Sequence, residues 1–145
     1  MSMSFSPKAG LIPYIVDTDG QLKMLFMVAS DPKFGGPKPM ISKGTIEEGE
    51  TPEHAAVREA AEELGLKPEN IKGELIKVFE GKVTLRTSNY NMTIYGVEVH
   101  NKTNFNKWDY ETLYATWLTQ KRFDEIGRKD HKPHVLKLTE LINEL

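Results

Sequence analysis

The chain has 145 residues, a length that suits one domain, and we expect a single domain over residues 1–145. It carries 19 lysines and arginines against 21 acidic residues, and this net charge of −2 disfavours a protein that binds long nucleic acid. It has no cysteine, so a disulfide scaffold, a thiolate zinc site and a cysteine nucleophile are all excluded.

The sequence predicts neither a membrane span nor a signal peptide. Its longest uninterrupted apolar run covers residues 24–29, whereas a membrane-spanning helix needs about 20 apolar residues. The first residues show no basic stretch followed by an apolar core. We therefore expect a cytoplasmic protein that has no membrane partner.

Hydrophobic patterning and turn residues predict both strands and helices along the chain. The predicted strands are 9–16, 22–29, 71–79, 83–87, 92–99 and 113–118. The predicted helices are 51–64, 119–126 and 133–145. For the first helix, Thr51 is the expected N-cap, Pro52 the first helical residue and Gly65 the left-handed C-cap. Turns are expected at 17–20 and 88–91, and the order of elements indicates an α+β fold.

The first helix has one acidic and one apolar side. Glu59, Glu62 and Glu63 share a face, because residues three and four apart are neighbours on a helix. The predicted apolar side consists of Val57, Ala60, Ala61 and Leu64. Carboxylate clusters suit hard cations such as Mg²⁺ or Mn²⁺, although an acidic face exposed to solvent is a common alternative.

The acidic residues belong to a longer pattern over residues 44–66. Gly44 is followed after five residues by Glu50, and after seven more by Arg-Glu-Ala-Ala-Glu-Glu-Leu-Gly-Leu. This pattern resembles the Nudix box, Gly-x5-Glu-x7-Arg-Glu-U-x-Glu-Glu-x-Gly-U, in which U is a bulky aliphatic residue. Only Ala60, at the first U position, departs from it. The chain is identified on this pattern as a member of the Nudix hydrolase superfamily.

The resemblance implies an α/β/α sandwich with a mixed β-sheet packed between helices, and cleavage of a pyrophosphate with Mg²⁺ or Mn²⁺ as cofactor. The implied metal ligands are Glu59, Glu62, Glu63, the Gly44 carbonyl and a downstream carboxylate, Glu111. Arg58 is implied to orient Glu59, and Glu50 to brace the loop. Gly44 and Gly65 are implied to adopt backbone conformations that a Cβ disfavours. Lys43 is implied to contact a phosphate, and Ser42 stands where many members carry proline.

Two features beyond the box bear on catalysis. Glu111 lies six residues before Trp117, an arrangement similar to that of the dinucleoside tetraphosphate hydrolases. Either Glu59 or Glu111 is then the base that deprotonates the attacking water. Glu98 is the competing downstream carboxylate, and its alternating strand predicts a side chain that faces solvent.

Weaker likenesses to dinucleoside-polyphosphate and ADP-ribose hydrolases suggest a small nucleotide substrate. We expect an adenosine dinucleotide: a diadenosine polyphosphate or ADP-ribose, extending to NADH and FAD. Phe34 and Tyr90 are candidates for stacking on the base, and Arg86 for a phosphate contact. Of these, Tyr90 is favoured because it falls in a predicted turn with little core to fill. His131 is expected to be exposed near the start of the last helix.

Two other functions remain open from the sequence. One is a pyrophosphohydrolase acting on the 5′ end of RNA, which needs only a small basic patch. The other is a non-catalytic Nudix module that senses a nucleotide, although the intact carboxylates argue against it. Similar proteins are often dimers, and we expect a monomer or a homodimer.

Overall fold

The computed structural model describes residues 6–31, 37–84, 89–102 and 112–145. Six strands are present in this part of the chain: β1 (Lys8–Val16), β2 (Leu22–Ala29), β3 (Ser42–Thr45), β4 (Ile76–Thr84), β5 (Asn89–Glu98) and β6 (Thr112–Leu118). The helices are α1 (Pro52–Leu64), α2 (Gln120–Ile126) and α3 (Lys132–Asn143), with 3₁₀ turns at Pro68–Asn70 and Lys129–His131. No described helix is long and apolar enough to cross a membrane.

The strands form one mixed sheet in the order β4-β5-β1-β2-β6. The pairing of β1 with β5 is parallel, and the other pairings are antiparallel. The short strand β3 pairs with the first half of β1, from Lys8 with Thr45 to Leu11 with Ser42. This pairing places the residues just before α1 beside the centre of the sheet.

Alternate residues of the strands pack on opposite faces of the sheet. The face covered by α1 includes Ala9, Leu11, Leu25, Met27, Tyr95 and Val97. The face covered by α2 and α3 includes Ile12, Tyr14, Met24, Phe26, Met92 and Ile94, with Phe123, Val135 and Leu138 from the helices. Helices on both faces of a mixed sheet make the α/β/α sandwich that the sequence predicts.

The region before β5 differs from the prediction. Strands were expected at 71–79 and 83–87, but a single strand, β4, runs from Ile76 to Thr84. Its antiparallel pairing with β5 continues through Gly81, although the sequence pattern predicts that one strand ends before this residue and another begins after it. Strand β5 already begins at Asn89, so Tyr90 lies in a strand and the turn predicted at 88–91 is wrong.

Candidate active site

Helix α1 begins and ends where its sequence indicates. The Thr51 side chain accepts a hydrogen bond from the His54 backbone N–H at 3.1 Å, and Pro52 occupies the first turn. Gly65 closes the helix with a φ of 75°, a left-handed conformation that glycine adopts without steric cost. These local signals fix the helix ends, and they therefore fix which residues face β3.

Arg58 is the centre of the site. Its Nε and Nη2 donate to the two carboxylate oxygens of Glu50 at 2.8 and 3.0 Å, and Nη2 also donates to the Thr45 carbonyl at 2.9 Å. Its Nη1 donates to Oε1 of Glu59 at 3.0 Å and to Oε1 of Glu62 at 3.3 Å. The guanidinium therefore ties the loop before α1 to two carboxylates of the helix.

Glu50 is held as a charged brace within that loop. Besides the two bonds from Arg58, its Oε1 accepts the Glu47 backbone N–H at 3.0 Å. Hydrogen bonding from Arg58, and then from Glu47, lowers the pKa of the Glu50 carboxyl to about 2. The carboxylate is thus ionised at neutral pH and keeps the loop closed on the helix.

Gly44 makes room for Glu59. A Cβ built on Gly44 would lie on top of the Glu59 carboxylate. Gly44 has no positive φ, unlike Gly65, so the expectation that it serves an unusual backbone conformation is wrong. Glycine is required at 44 because the carboxylate packs directly against the backbone of β3.

Glu63 differs from the other two helix carboxylates. It is buried, and its Oε1 accepts the Ser42 hydroxyl at 2.7 Å and the Lys43 backbone N–H at 3.0 Å. The side chain of Glu62 is 47% exposed, and that of Glu59 is 13% exposed. The three glutamates therefore do not form one open acidic face, because β3 covers the side of the helix that carries Glu63.

The donor chemistry of these residues suits a hard divalent cation, since all three side chains offer carboxylate oxygens. In the described residues no group of three His, Cys, Asp or Glu is arranged to hold a metal ion. Instead, Glu59 and Glu62 each place an oxygen within 3.3 Å of the same nitrogen, Nη1 of Arg58. The carboxylates that could hold a cation converge, but on a guanidinium.

Lys43 lies beside two other cations. Burial, followed by the nearby charges of Arg128 and Lys8, lowers the pKa of the Lys43 ammonium. Arg128 pairs with Asp130 at 2.7 Å, and Lys8 contacts the Thr45 hydroxyl at 3.4 Å. Lys8, Lys43 and Arg128 thus form a cationic region on the face of the sheet that α2 and α3 cover, and the sequence pointed to it only through Lys43.

Tyr90 is a core residue and not a turn residue. It is buried among the residues under α2 and α3, and the Lys8 ammonium lies 5.6 Å from its ring centroid. The argument that favoured Tyr90 for base stacking, an aromatic ring with little core to fill, is therefore wrong. The ring instead contacts one residue of the cationic region.

His131 is buried and functions as a structural acceptor, so the expectation of an exposed side chain is wrong. Its Nδ1 accepts the Ile41 backbone N–H at 3.0 Å, which requires that Nδ1 carry no proton. Burial lowers the pKa of His131 to about 3. No local signal identifies this contact, because the two residues are 90 positions apart in the chain.

Three of the predicted site residues, Phe34, Arg86 and Glu111, lie outside the described residues. Glu98 lies in β5 opposite Tyr14, on the alternation of Ile94, which faces α2 and α3. Its carboxylate is 3.7 Å from the Lys72 ammonium. Glu98 is therefore on the face of the sheet opposite α1 and away from Arg58.

Comparison with known proteins identifies the family. Residues 7–139 match the NUDIX domain model, so the chain belongs to that family, as the pattern over 44–66 predicts. An RNA pyrophosphohydrolase of Psychromonas ingrahamii is 38% identical over a segment that covers 40% of this chain and 36% of that protein. The chain thus matches little more than a third of this relative's length.

Solved structures agree on the fold. A C. elegans Ap4A hydrolase binary complex superposes with a TM-score of 0.79 at 18% identity, covering 97% of this chain and 100% of that one. The NUDIX domain of Shewanella oneidensis NrtR, solved with ADP ribose, gives a TM-score of 0.79 at 14% identity, covering 98% and 90%. The described sheet and helices therefore form a Nudix fold.

Proposed function

We propose that the chain is a pyrophosphohydrolase that depends on Mg²⁺ or Mn²⁺ and cleaves the P–O–P bridge of an adenosine dinucleotide. The observation that carries this proposal is the Arg58 network, in which one guanidinium holds Glu50, Glu59 and Glu62 beside the Gly44 backbone. Such a network fixes the orientation of the carboxylates. The carboxylates of an acidic face exposed to solvent would not be held in this way.

Glu59, Glu62 and Glu63, together with the Gly44 carbonyl, are the residues that would hold the cation, with Glu111 as a further carboxylate. The bound cation supplies a more acidic water and neutralises the charge that develops on the phosphates. Arg58 orients Glu59 through its Nη1, and Glu59 or Glu111 takes the proton from the attacking water. Lys43, beside Lys8 and Arg128, binds a phosphate.

The proposed substrate class is supported by two similar structures. One is an Ap4A hydrolase, and the other is a NUDIX domain solved with ADP ribose. The cationic region fits a ligand with several phosphates, since its three cations outnumber the two carboxylates that act on Lys43, Glu63 and Asp130. Diadenosine polyphosphates and ADP-ribose therefore come first, followed by NADH and FAD. Phe34 and Arg86 remain candidates for contacts to the nucleotide, whereas Tyr90 packs in the core.

A second candidate function is removal of pyrophosphate from the 5′ end of RNA. The relative in Psychromonas ingrahamii is named an RNA pyrophosphohydrolase, and the cationic region could equally bind a 5′-triphosphate. The net charge of −2 disfavours binding of the rest of an RNA chain. We therefore rank this substrate below a small nucleotide. A non-catalytic sensor ranks third, because the carboxylates are intact.

The test is a substrate panel with Mg²⁺ and with Mn²⁺, with products separated by chromatography. The panel contains diadenosine tri- and tetraphosphate, ADP-ribose, NADH, FAD, nucleoside triphosphates and 5′-triphosphate RNA. We expect fast, metal-dependent cleavage of an adenosine dinucleotide, and we expect Glu63→Gln to slow it by orders of magnitude without unfolding the protein. Turnover of Glu63→Gln at the wild-type rate would contradict the assignment.

Two further variants separate the downstream carboxylates. Glu111→Gln is expected to slow turnover more than Glu98→Gln, since Glu98 faces away from α1. If Glu98→Gln slows turnover more than Glu111→Gln does, Glu98 and not Glu111 is the downstream catalytic carboxylate. Preference for 5′-triphosphate RNA would favour the second function, and binding of ligand without product would favour the sensor.

A further inference from the structure

The buried hydroxyl of Ser42 contacts a carboxylate of the proposed metal site. Ser42 is the first residue of β3 and has no exposed surface. Its hydroxyl donates to Oε1 of Glu63 at 2.7 Å, and the backbone N–H of Lys43 donates to the same oxygen at 3.0 Å. Two donors therefore meet on one oxygen of a carboxylate that is itself buried.

Hydrogen bonds of this kind restrict the orientation of a long side chain. Glu63 has three rotatable side-chain bonds, and a cation needs its carboxylate in one particular orientation. The Lys43 N–H belongs to the backbone and is present with any residue except proline at that position. The Ser42 hydroxyl is the only one of these two donors that depends on side-chain identity.

The backbone around Ser42 is held in place by residues near the C-terminus and by β1. The Pro39 carbonyl accepts the Arg128 backbone N–H at 2.9 Å, and the Ile41 N–H donates to Nδ1 of His131 at 3.0 Å. The backbone of β3 is also paired with β1 at Leu11 and Ser42. The hydroxyl is therefore presented to Glu63 from a fixed backbone and not from a mobile loop.

We infer that Ser42 is a positioning residue that sets the orientation of Glu63 for the divalent cation. This inference rests on the proposed function, because it assumes that Glu63 is a metal ligand. Groups that hydrogen-bond a metal ligand commonly change metal affinity or activity by about 10- to 100-fold when removed.

The experiment compares Mn²⁺ binding, measured by electron paramagnetic resonance, with steady-state kinetics on the wild-type protein, Ser42→Ala and Ser42→Thr. We expect Ser42→Ala to weaken Mn²⁺ binding about tenfold. Saturating Mn²⁺ should restore much of kcat, and the KM for the nucleotide should not change. Ser42→Thr keeps the hydroxyl and should bind Mn²⁺ nearly as the wild type does.

A matched control removes a hydroxyl far from the site. Thr139 in α3 donates to the Val135 carbonyl at 3.1 Å, so Thr139→Ala loses a hydrogen bond without touching Glu63. It should leave Mn²⁺ binding unchanged. If Ser42→Ala does not fold, Ser42→Cys replaces it, since a thiol is similar in size and a weak donor. The same loss of affinity is expected for it.

A double-mutant comparison links the effect to the Ser42–Glu63 bond. In a Glu63→Gln background, Ser42→Ala should weaken Mn²⁺ binding much less than it does in the wild type. Unchanged Mn²⁺ affinity in Ser42→Ala, or an equal loss in both backgrounds, overturns the inference while the proposed function stands. A wild-type protein that neither binds Mn²⁺ nor hydrolyses a nucleotide overturns the proposed function first.

Discussion

The guanidinium of Arg58 and the bare backbone of Gly44 together decide where the Glu59 carboxylate lies. Arg58 donates to Glu59 from one side, and Gly44 leaves space for it on the other. The spacing of Gly44 and Glu59 identifies both residues as part of one motif, but it does not explain why the first must be glycine. The explanation is the direct contact between β3 and the carboxylate.

Gly44→Ala is expected to reduce turnover roughly a hundredfold, because a Cβ at this position displaces the Glu59 carboxylate. The free energy of unfolding should fall by less than the activation free energy of turnover rises, since Gly44 has no positive φ to strain. Gly20→Ala is the matched control: Gly20 has a φ of 82° and open space around it. Gly20→Ala should lower the free energy of unfolding without lowering turnover. Turnover of Gly44→Ala at the wild-type rate would contradict the proposed role of Gly44.

Helix α1 carries the carboxylates on one element whose ends are set by local sequence. Thr51, Pro52 and Gly65 occupy the positions that start and stop a helix, and the structure confirms the predicted span to within a residue. The prediction of its exposed and buried sides is less accurate. Ala55 and Ala56 are buried and Val57 is only half-buried, because α1 packs against both the sheet and β3.

Thr51→Ala is expected to lower the free energy of unfolding by about 1 kcal/mol, because it leaves the His54 N–H without its capping acceptor. Chemical denaturation measures this loss. Thr51 is exposed, so no packing is removed with the hydroxyl. Thr51→Asp should recover the stability, since aspartate caps a helix and favours its N-terminus. An aspartate variant as unstable as the alanine variant would show that the cap is unimportant.

The C-terminal third of the chain supports a strand that lies near its beginning. Arg128 and His131 bind the backbone of residues 39 and 41, immediately before the residues that hold Glu63 and Glu59. Gly96 allows Leu138 of α3 to approach the sheet closely, so α3 is seated directly on β5. The site on one face of the sheet therefore depends on helices that cover the other face.

Burial of neutral His131 makes stability depend on pH. Burial lowers its pKa to about 3 from an ordinary 6.5; Asp130 opposes this shift, while Arg128, Lys43 and His134 add to it. Below about pH 6.5 only the unfolded chain takes up the proton, so the free energy of unfolding falls as the pH falls. Between pH 6.5 and 5 we expect a slope approaching 1.4 kcal/mol per pH unit from this residue.

Denaturation at several pH values checks this expectation. The measurement stays above pH 5, where the carboxyl groups with lowered pKa, such as Glu50, contribute little to the slope. His131→Asn keeps an acceptor near the place of Nδ1 and should flatten the slope, apart from what the half-buried His134 adds in the same direction. His100→Asn, at an exposed site, should keep it. An unchanged slope in His131→Asn would assign the effect to other groups.

The sequence by itself determined the family pattern over residues 44–66 and the ends of α1. These features depend on residues within a few positions of one another, where spacing and capping chemistry are sufficient. Only the tertiary structure decided that Glu63 is buried under Ser42, that Tyr90 lies in the core and that His131 accepts from Ile41. Each of these depends on residues far apart in the chain, and their contact energies exist only after β3, α1 and the C-terminal helices have packed on the sheet.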